Sequence, residues 1–437
     1  MSVPPSRWLV CAMLIMLPAF VARAEPSADQ QPVIDLTGDV RITAAAHWHD
    51  AHYRVRGNLV LAAGGVLNAE NCTIELMNTY TRQFRFAWEG GALVTRNCAV
   101  GGSDASGTVC QCNFELHDGL WEATDTTVRH SSGIIFGECD TVGRLRATRL
   151  VAGPNPDSII MTGKGDVEVK DSSFAISLTV YAGRGMSSGT FDLPVNRLIS
   201  EVYDGTNMPG ARYHLALENV TVPLWFLLAS CVTMDGPPTE LVLRDCPLLI
   251  PSVLGWNLKG EISLPAPWPA DQRNATLRVG NMTWRTLDKP VGVFCWGLYL
   301  SGDETDLTVR GQTLICELMV SGGRAVVEGT PGTLDAATTA TTVEVGTAGT
   351  DKPAQLVLRN ATIGRPVGDP VRGQLTAHGA ARVLIEDSRC TDLRLMTEDS
   401  GQITIRGLAQ QGAIEMRATG GPIRILPAGT TADDRAR

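Results

Sequence analysis

The stretch Leu67-Asn68-Ala69-Glu70-Asn71-Cys72-Thr73-Ile74 constrains this chain more than any other, because variants of it return along most of the 437 residues. Written as apolar, any, apolar, any, Asn or Asp, any, small or Thr, apolar, the phrase recurs with Asn97, Asp125, Asp171, Asn219, Asp245, Asn281, Asn360 and Asp387 at its fifth place. Weaker copies carry Arg149, Gly311 or Gly407 there. Successive copies lie about 20 to 30 residues apart, or at longer gaps, which is the period of a solenoid. Alternation such as Leu241-Val242-Leu243-Arg244 or Leu356-Val357-Leu358-Arg359 has period two and puts alternate side chains on one face of a strand. A strand this short cannot bury its apolar face alone, so the copies must stack, each supplying one rung about 4.8 Å from the next. The Asn or Asp falls where the strand bends. Its short polar side chain tolerates unusual backbone angles and bonds local amides, and copies on neighbouring rungs can pair with one another.

The segment from Tyr53 to Leu67 reads as an apolar strand, a glycine turn and a first full rung. With the repeats that follow, it resembles the right-handed parallel β-helix superfamily, the pectin-lyase-like group that includes pectate lyases and polygalacturonases. The resemblance implies an all-β, single-domain right-handed parallel β-helix with protruding loops, a solenoid spanning residues 34–426. Excursions are expected near 182–212, near the Pro/Trp-rich 265–274, and at the Thr/Ala/Gly-rich 330–353 around one strand at 342–345. Residues 25–33 read as a polar leader, and residues 427–437 as a polar, disordered tail.

Residues 1–24 have the form of a secretory signal peptide: Arg7, an apolar run from Trp8 to Val21, and the small-residue site Ala22-Arg23-Ala24. The expected location is therefore secreted, periplasmic or cell-surface. No later stretch reaches membrane-spanning length, so no integral membrane segment is expected after cleavage. The formal net charge of -9 becomes more negative once Arg7 and Arg23 leave with the peptide. An acidic rod argues against nucleic acid as a partner and favours neutral or cation-bridged ligands, such as a polysaccharide or cell-surface glycan.

Cys72 and Cys98 hold the same place in consecutive copies of the phrase, so stacking brings them within disulfide range, either as a disulfide or as a buried stack of free thiols. The densest histidine cluster is His47-Trp48-His49-Asp50-Ala51-His52. His47 and His49 share a strand face, the geometry of a metal site with Asp50 or His52 as further ligands, or else the group is an exposed polar cap. No sequence motif calls for a cofactor.

Three further strands lie between phrases, at 255–259, 295–299 and 315–319. Aligned by their apolar places, they put Trp256, Trp296 and Cys316 inward. Outward they set a row of Asn257, Gly297 and Glu317 beside a row of Lys259, Tyr299 and Met319. A mixed aromatic and polar surface of this kind suits a sugar, with Asn257, Lys259, Tyr299 and Glu317 as its ligand-binding residues. The motifs of polygalacturonase-like glycosidases are not intact, and Ala377-His378-Gly379 is only an echo of their histidine element. Two function classes remain. The first is an exported β-helical binding or scaffold protein that recognises carbohydrate or cell-surface material. The alternative is a carbohydrate-active enzyme, a polysaccharide lyase or glycoside hydrolase with non-standard catalytic residues.

Overall fold

A computed structural model of the chain describes residues 31–105, 108–136, 142–153, 157–161, 164–174, 177–182, 213–220, 225–230, 239–246, 248–263, 276–279, 282–285, 293–311, 313–329, 339–364 and 372–428. Residues 1–30, which hold the signal-peptide segment and most of the leader, the segments 183–212 and 264–275, and residues 429–437 of the tail lie outside these residues. The fold is all-β, a parallel β-solenoid of stacked coils with no helix among the described residues.

Each coil has three sides, which follow from how the phrase bends. Face A is the strand before the Asn or Asp, face B the short strand after it, and face C the strand that closes the coil. In one coil, for example, Val66–Glu70 lies on face A, Thr73–Leu76 on face B and residues 86–89 on face C. Face A continues from Ala45–His49 through residues 92–96, 119–124, 142–148, Lys164–Lys170, Tyr213–Glu218 and Thr239–Arg244 to Ile423–Leu426, every pairing parallel. The pleat alternation is kept rung after rung. Leu67, Leu93, Trp121, Leu145, Val167, Leu215 and Leu241 stack inward as one buried column, which is how strands too short to fold alone make a continuous core.

The fifth-place residues adopt left-handed backbone angles: Asn71, Asn97, Asp125, Arg149, Asp171, Asn219, Asp245, Asn360 and Asp387 have φ between 46° and 54°. Asn and Asp enter this region more readily than other side-chain-bearing residues, and Gly311 and Gly407 occupy it at φ 101° and 61°. The corner residues also bond to one another along the stack. Asn71 Nδ2 donates to Asp50 Oδ1 (3.2 Å), Asn97 Nδ2 to Asn71 Oδ1 (2.8 Å) and Asn219 Nδ2 to Asp171 Oδ1 (2.7 Å). Where Arg149 replaces the amide, its guanidinium spans both carboxylate oxygens of Asp125. At Gly407 a Cβ would fall 2.3 Å from Asp387 Oδ1, so the side chain below occupies the place of the missing one.

Two expectations need correction. Residues 276–285 are not a rung, because Thr276–Val279 and Met282–Arg285 pair antiparallel as a separate hairpin. Asn281 itself lies outside the described residues. Its flanking strands alternate like the phrase, yet they pair antiparallel, with Val279 opposite Met282. The low-complexity stretch 330–353 does contain a strand, but it runs over Thr339–Val345, longer than expected, and pairs into the stack.

Candidate functional site

The outward side of face C carries the surface expected from the sequence, in altered form. Gly297 pairs with Glu317 and Tyr299 with Met319, so two of the three rungs have the anticipated register. Within this pair of rungs Tyr299 and Glu317 meet: the phenol Oη donates to Glu317 Oε2 at 2.5 Å. The ring lies down along the sheet, over Gly297. A Cβ at that glycine would fall 2.1 Å from Tyr299 Cε2 and 2.5 Å from Cζ, so the ring can rest there only because the residue beneath has no side chain. Tyr299 and Glu317 are half-buried, and Met319 beside them is exposed. The result is an aromatic ring held flat by a carboxylate on a solvent-facing strand surface.

Asn257 and Lys259 do not join them. The first of the three strands is displaced by five positions: Trp256 lies opposite Ser301, while Ser252 and Leu254 take the places beside Gly297 and Tyr299. The side chains of Trp256, Trp296 and Cys316 lie outside those described. The cause of the displacement is Asn257, which is itself a corner residue with φ 48°. The chain turns there from face C to face A, so Lys259 pairs with Glu240 and Asp306 on face A. Asn257 Oδ1 accepts the backbone N–H of Glu304 (3.1 Å), and Lys259 Nζ reaches the Glu304 carboxylate at 2.8 Å. These two residues stabilise a turn and its flanking ion pair on another side of the coil.

The histidines of the first coil separate for the same reason. Asp50 is a corner residue with φ 47°, so His47 and His49 sit exposed on face A while His52 begins face B. There His52 Nε2 lies 2.9 Å from Glu75 Oε2. Among the described residues the one group of three side chains whose donor atoms approach as metal ligands lies elsewhere, at Asp166, Glu168 and His214.

Cys72 and Cys98 stack as consecutive rungs require, but as free thiols with their sulfurs 3.6 Å apart. The Cys72 thiol is pushed far up, first by its hydrogen bond to Cys98 and then by burial, while that same bond draws Cys98 down. Cys246 and Cys390 are each pushed up to about 12 by burial. Since the thiolate is the nucleophile, iodoacetamide at pH 8 should leave Cys246 and Cys390 of the native protein unmodified and label both after denaturation without prior reduction. Mass spectrometry of the two digests reads this out, and rapid native labelling of either residue would contradict the burial.

Face A holds a second feature, which the sequence reading missed. Its outward side carries charged columns: Arg144, Asp166, His214, Glu240, Lys259, Asp306 and Arg324 follow one another in register. Ion pairs such as Lys170–Glu218 (3.1 Å), Arg244–Glu261 (2.6 Å) and Arg359–Glu386 (2.8 Å) link neighbouring rungs. Most are half exposed and worth about 0–1 kcal/mol each, so their alternation bears more on register than on stability. Between rungs 119–124 and 164–170 this face dips into a shallow cavity of about 180 Å³ lined by Glu122, Thr124, Arg146, Thr148, Glu168 and Lys170. Arg146 lies in register between Glu122 and Glu168. No periodicity in the chain points to this group, because the partner of each residue is known only once the rungs are paired. Comparison with protein-family models, with curated proteins and with solved structures returns no match.

Proposed function

We propose that this protein is an exported β-solenoid of the pectin-lyase-like kind that binds or scaffolds carbohydrate or cell-surface material through the outer surface of face C. The observation that carries this reading is the Tyr299 ring lying flat over Gly297 and tethered to Glu317. An aromatic face backed by the sheet is a platform on which the C–H face of a sugar ring can rest, and the adjacent carboxylate accepts hydroxyl hydrogens. The tether fixes the ring before a ligand arrives, which lowers the ordering cost of binding.

A glycan array probed with the purified mature protein tests the reading. On the glycan that binds best, Tyr299→Ala should weaken binding about tenfold, equivalent to about 1.4 kcal/mol. Gly297→Ala should weaken it comparably by lifting the ring, and both variants should keep the wild-type circular dichroism. Unchanged affinity in both would remove the platform from the account.

One observation favours the second reading, a carbohydrate-active enzyme. Glu122 and Glu168 stand two rungs apart on either side of Arg146, a backbone separation on the order of 10 Å. That is comparable with the roughly 6.5–9.5 Å between the acid and base carboxyls of inverting glycosidases. Release of new reducing ends from a bound glycan, abolished by Glu122→Gln and by Glu168→Gln, would select the enzyme. Binding without product release would select the scaffold.

A further inference from the structure

We propose that Asp166, Glu168 and His214 on face A form a binding site for one divalent transition cation of the zinc type. The inference rests on donor geometry and does not depend on carbohydrate binding. Asp166 and His214 are direct partners on adjacent rungs, and Glu168 lies two residues along from Asp166 on the same side of the sheet. One ligand atom from each residue comes within 4.8 Å of the other two. Neighbouring donors on a metal at bond lengths of about 2.0–2.2 Å must lie nearer each other than this, so the side chains need only a small inward adjustment. All three are half-buried, shielded on the sheet side and open to solvent on the other.

The surrounding groups hold the three residues in place. Arg146 Nη2 lies 2.5 Å from Asp166 Oδ2 and 3.4 Å from Glu168 Oε1. It draws the two carboxylates together, and each has a second oxygen for a cation. Behind the imidazole, Glu240 Oε2 lies 3.3 Å from His214 Nδ1, on the next rung of the same column. A carboxylate that takes one imidazole N–H fixes the tautomer and leaves the other nitrogen's lone pair for a cation, a recurring arrangement behind metal-bound histidines. Water from the solvent-facing side of the three residues can complete the coordination.

The donor set also selects the ion. Calcium takes six to eight oxygens, and magnesium prefers near-ideal octahedral oxygen coordination. Two carboxylates and an imidazole with an open position match zinc and its neighbours in the first transition series. The histidines of the first coil, split between two faces, make no comparable set.

Isothermal titration of the purified, folded protein with Zn²⁺, and with Co²⁺ as a spectroscopic probe, tests the proposal. The expected result is saturable binding of one ion per chain, with Co²⁺ showing weak visible d–d bands and no strong sulfur-to-metal absorption in the near ultraviolet. His214→Ala and Asp166→Asn should each weaken binding by about 100-fold, Glu240→Gln by about tenfold, and His49→Ala should change nothing. Because the four substituted residues lie on the outward side, circular dichroism should be unaltered. Absence of saturable binding, strong sulfur bands, affinity retained in His214→Ala, or affinity lost in His49→Ala would each overturn the site.

Discussion

Replacing Phe114 by alanine is expected to lower the free energy of unfolding by about 3–5 kcal/mol. Phe114 is fully buried on face C and stacks on Phe86 of the rung before it, with centroids 4.6 Å apart and planes 3° from parallel. On its other side Trp121 packs at 5.1 Å and 5°. Trp121 in turn meets Trp88 at 5.5 Å, so one ring removed interrupts a four-ring cluster. The cavity cannot close readily, because backbone hydrogen bonds between parallel rungs fix their spacing and hold the neighbouring rings apart. Aromatic stacking adds about 0.5–1.5 kcal/mol per pair to the burial term. Phe114→Leu, which keeps most of the volume, should cost under about 1.5 kcal/mol. Denaturant unfolding of the two variants measures the difference. Hydrogen exchange should place the weakened protection in residues 85–88, 113–116 and 119–124, since stability in a solenoid passes between nearest neighbours. A loss below about 1 kcal/mol for alanine would mean that the cluster is not packed as described.

Asn97→Val should cost about 2–4 kcal/mol, and Asn97→Gly only about 0.5–1.5 kcal/mol. Asn97 has φ 51° and gives its amide hydrogen to Asn71 Oδ1 at 2.8 Å. Valine, branched at Cβ, is strained in this region by about 1–3 kcal/mol and also loses the bond, worth about 0.5–1.5 kcal/mol net. Glycine loses the bond but meets no strain. Equal costs for the two variants would show that the corner depends on the hydrogen-bonded ladder alone and not on the left-handed backbone.

These corners also explain how much of the molecule could be read from the chain. The phrase located the bends, and the residues it placed there take the left-handed conformation wherever they are described. The alternation before each bend identified the inward column of face A. What misled the reading was a bend of another kind. Asn257 turns the chain between faces C and A, so an alignment that treats it as mid-strand joins Lys259 to a surface it does not share. Asp50, a corner between faces A and B, divides the histidine cluster. In both places the signal was present, a lone Asn or Asp between two alternating runs, but the phrase as written did not cover it. The hairpin at 276–285 shows the reverse, since alternation alone cannot distinguish a parallel rung from an antiparallel pair. The site at Asp166, Glu168 and His214 was out of reach for a different reason. His214 is far from Asp166 in the chain, and only the pairing of their strands makes them neighbours.

The stack itself can be measured directly. Glu240, Lys259, Asp306, Arg324, Gln355, Arg382 and Gln402 form one outward column, each in register with the next. Spin labels introduced as unnatural amino acids, leaving the thiols untouched, can be placed at Glu240 together with Gln355, Arg382 or Gln402, four, five and six rungs away. Pulsed electron–electron resonance should return mean distances that increase by about 4.8 Å from each pair to the next. Distances that fail to lengthen by one rung spacing per strand would contradict the parallel stack.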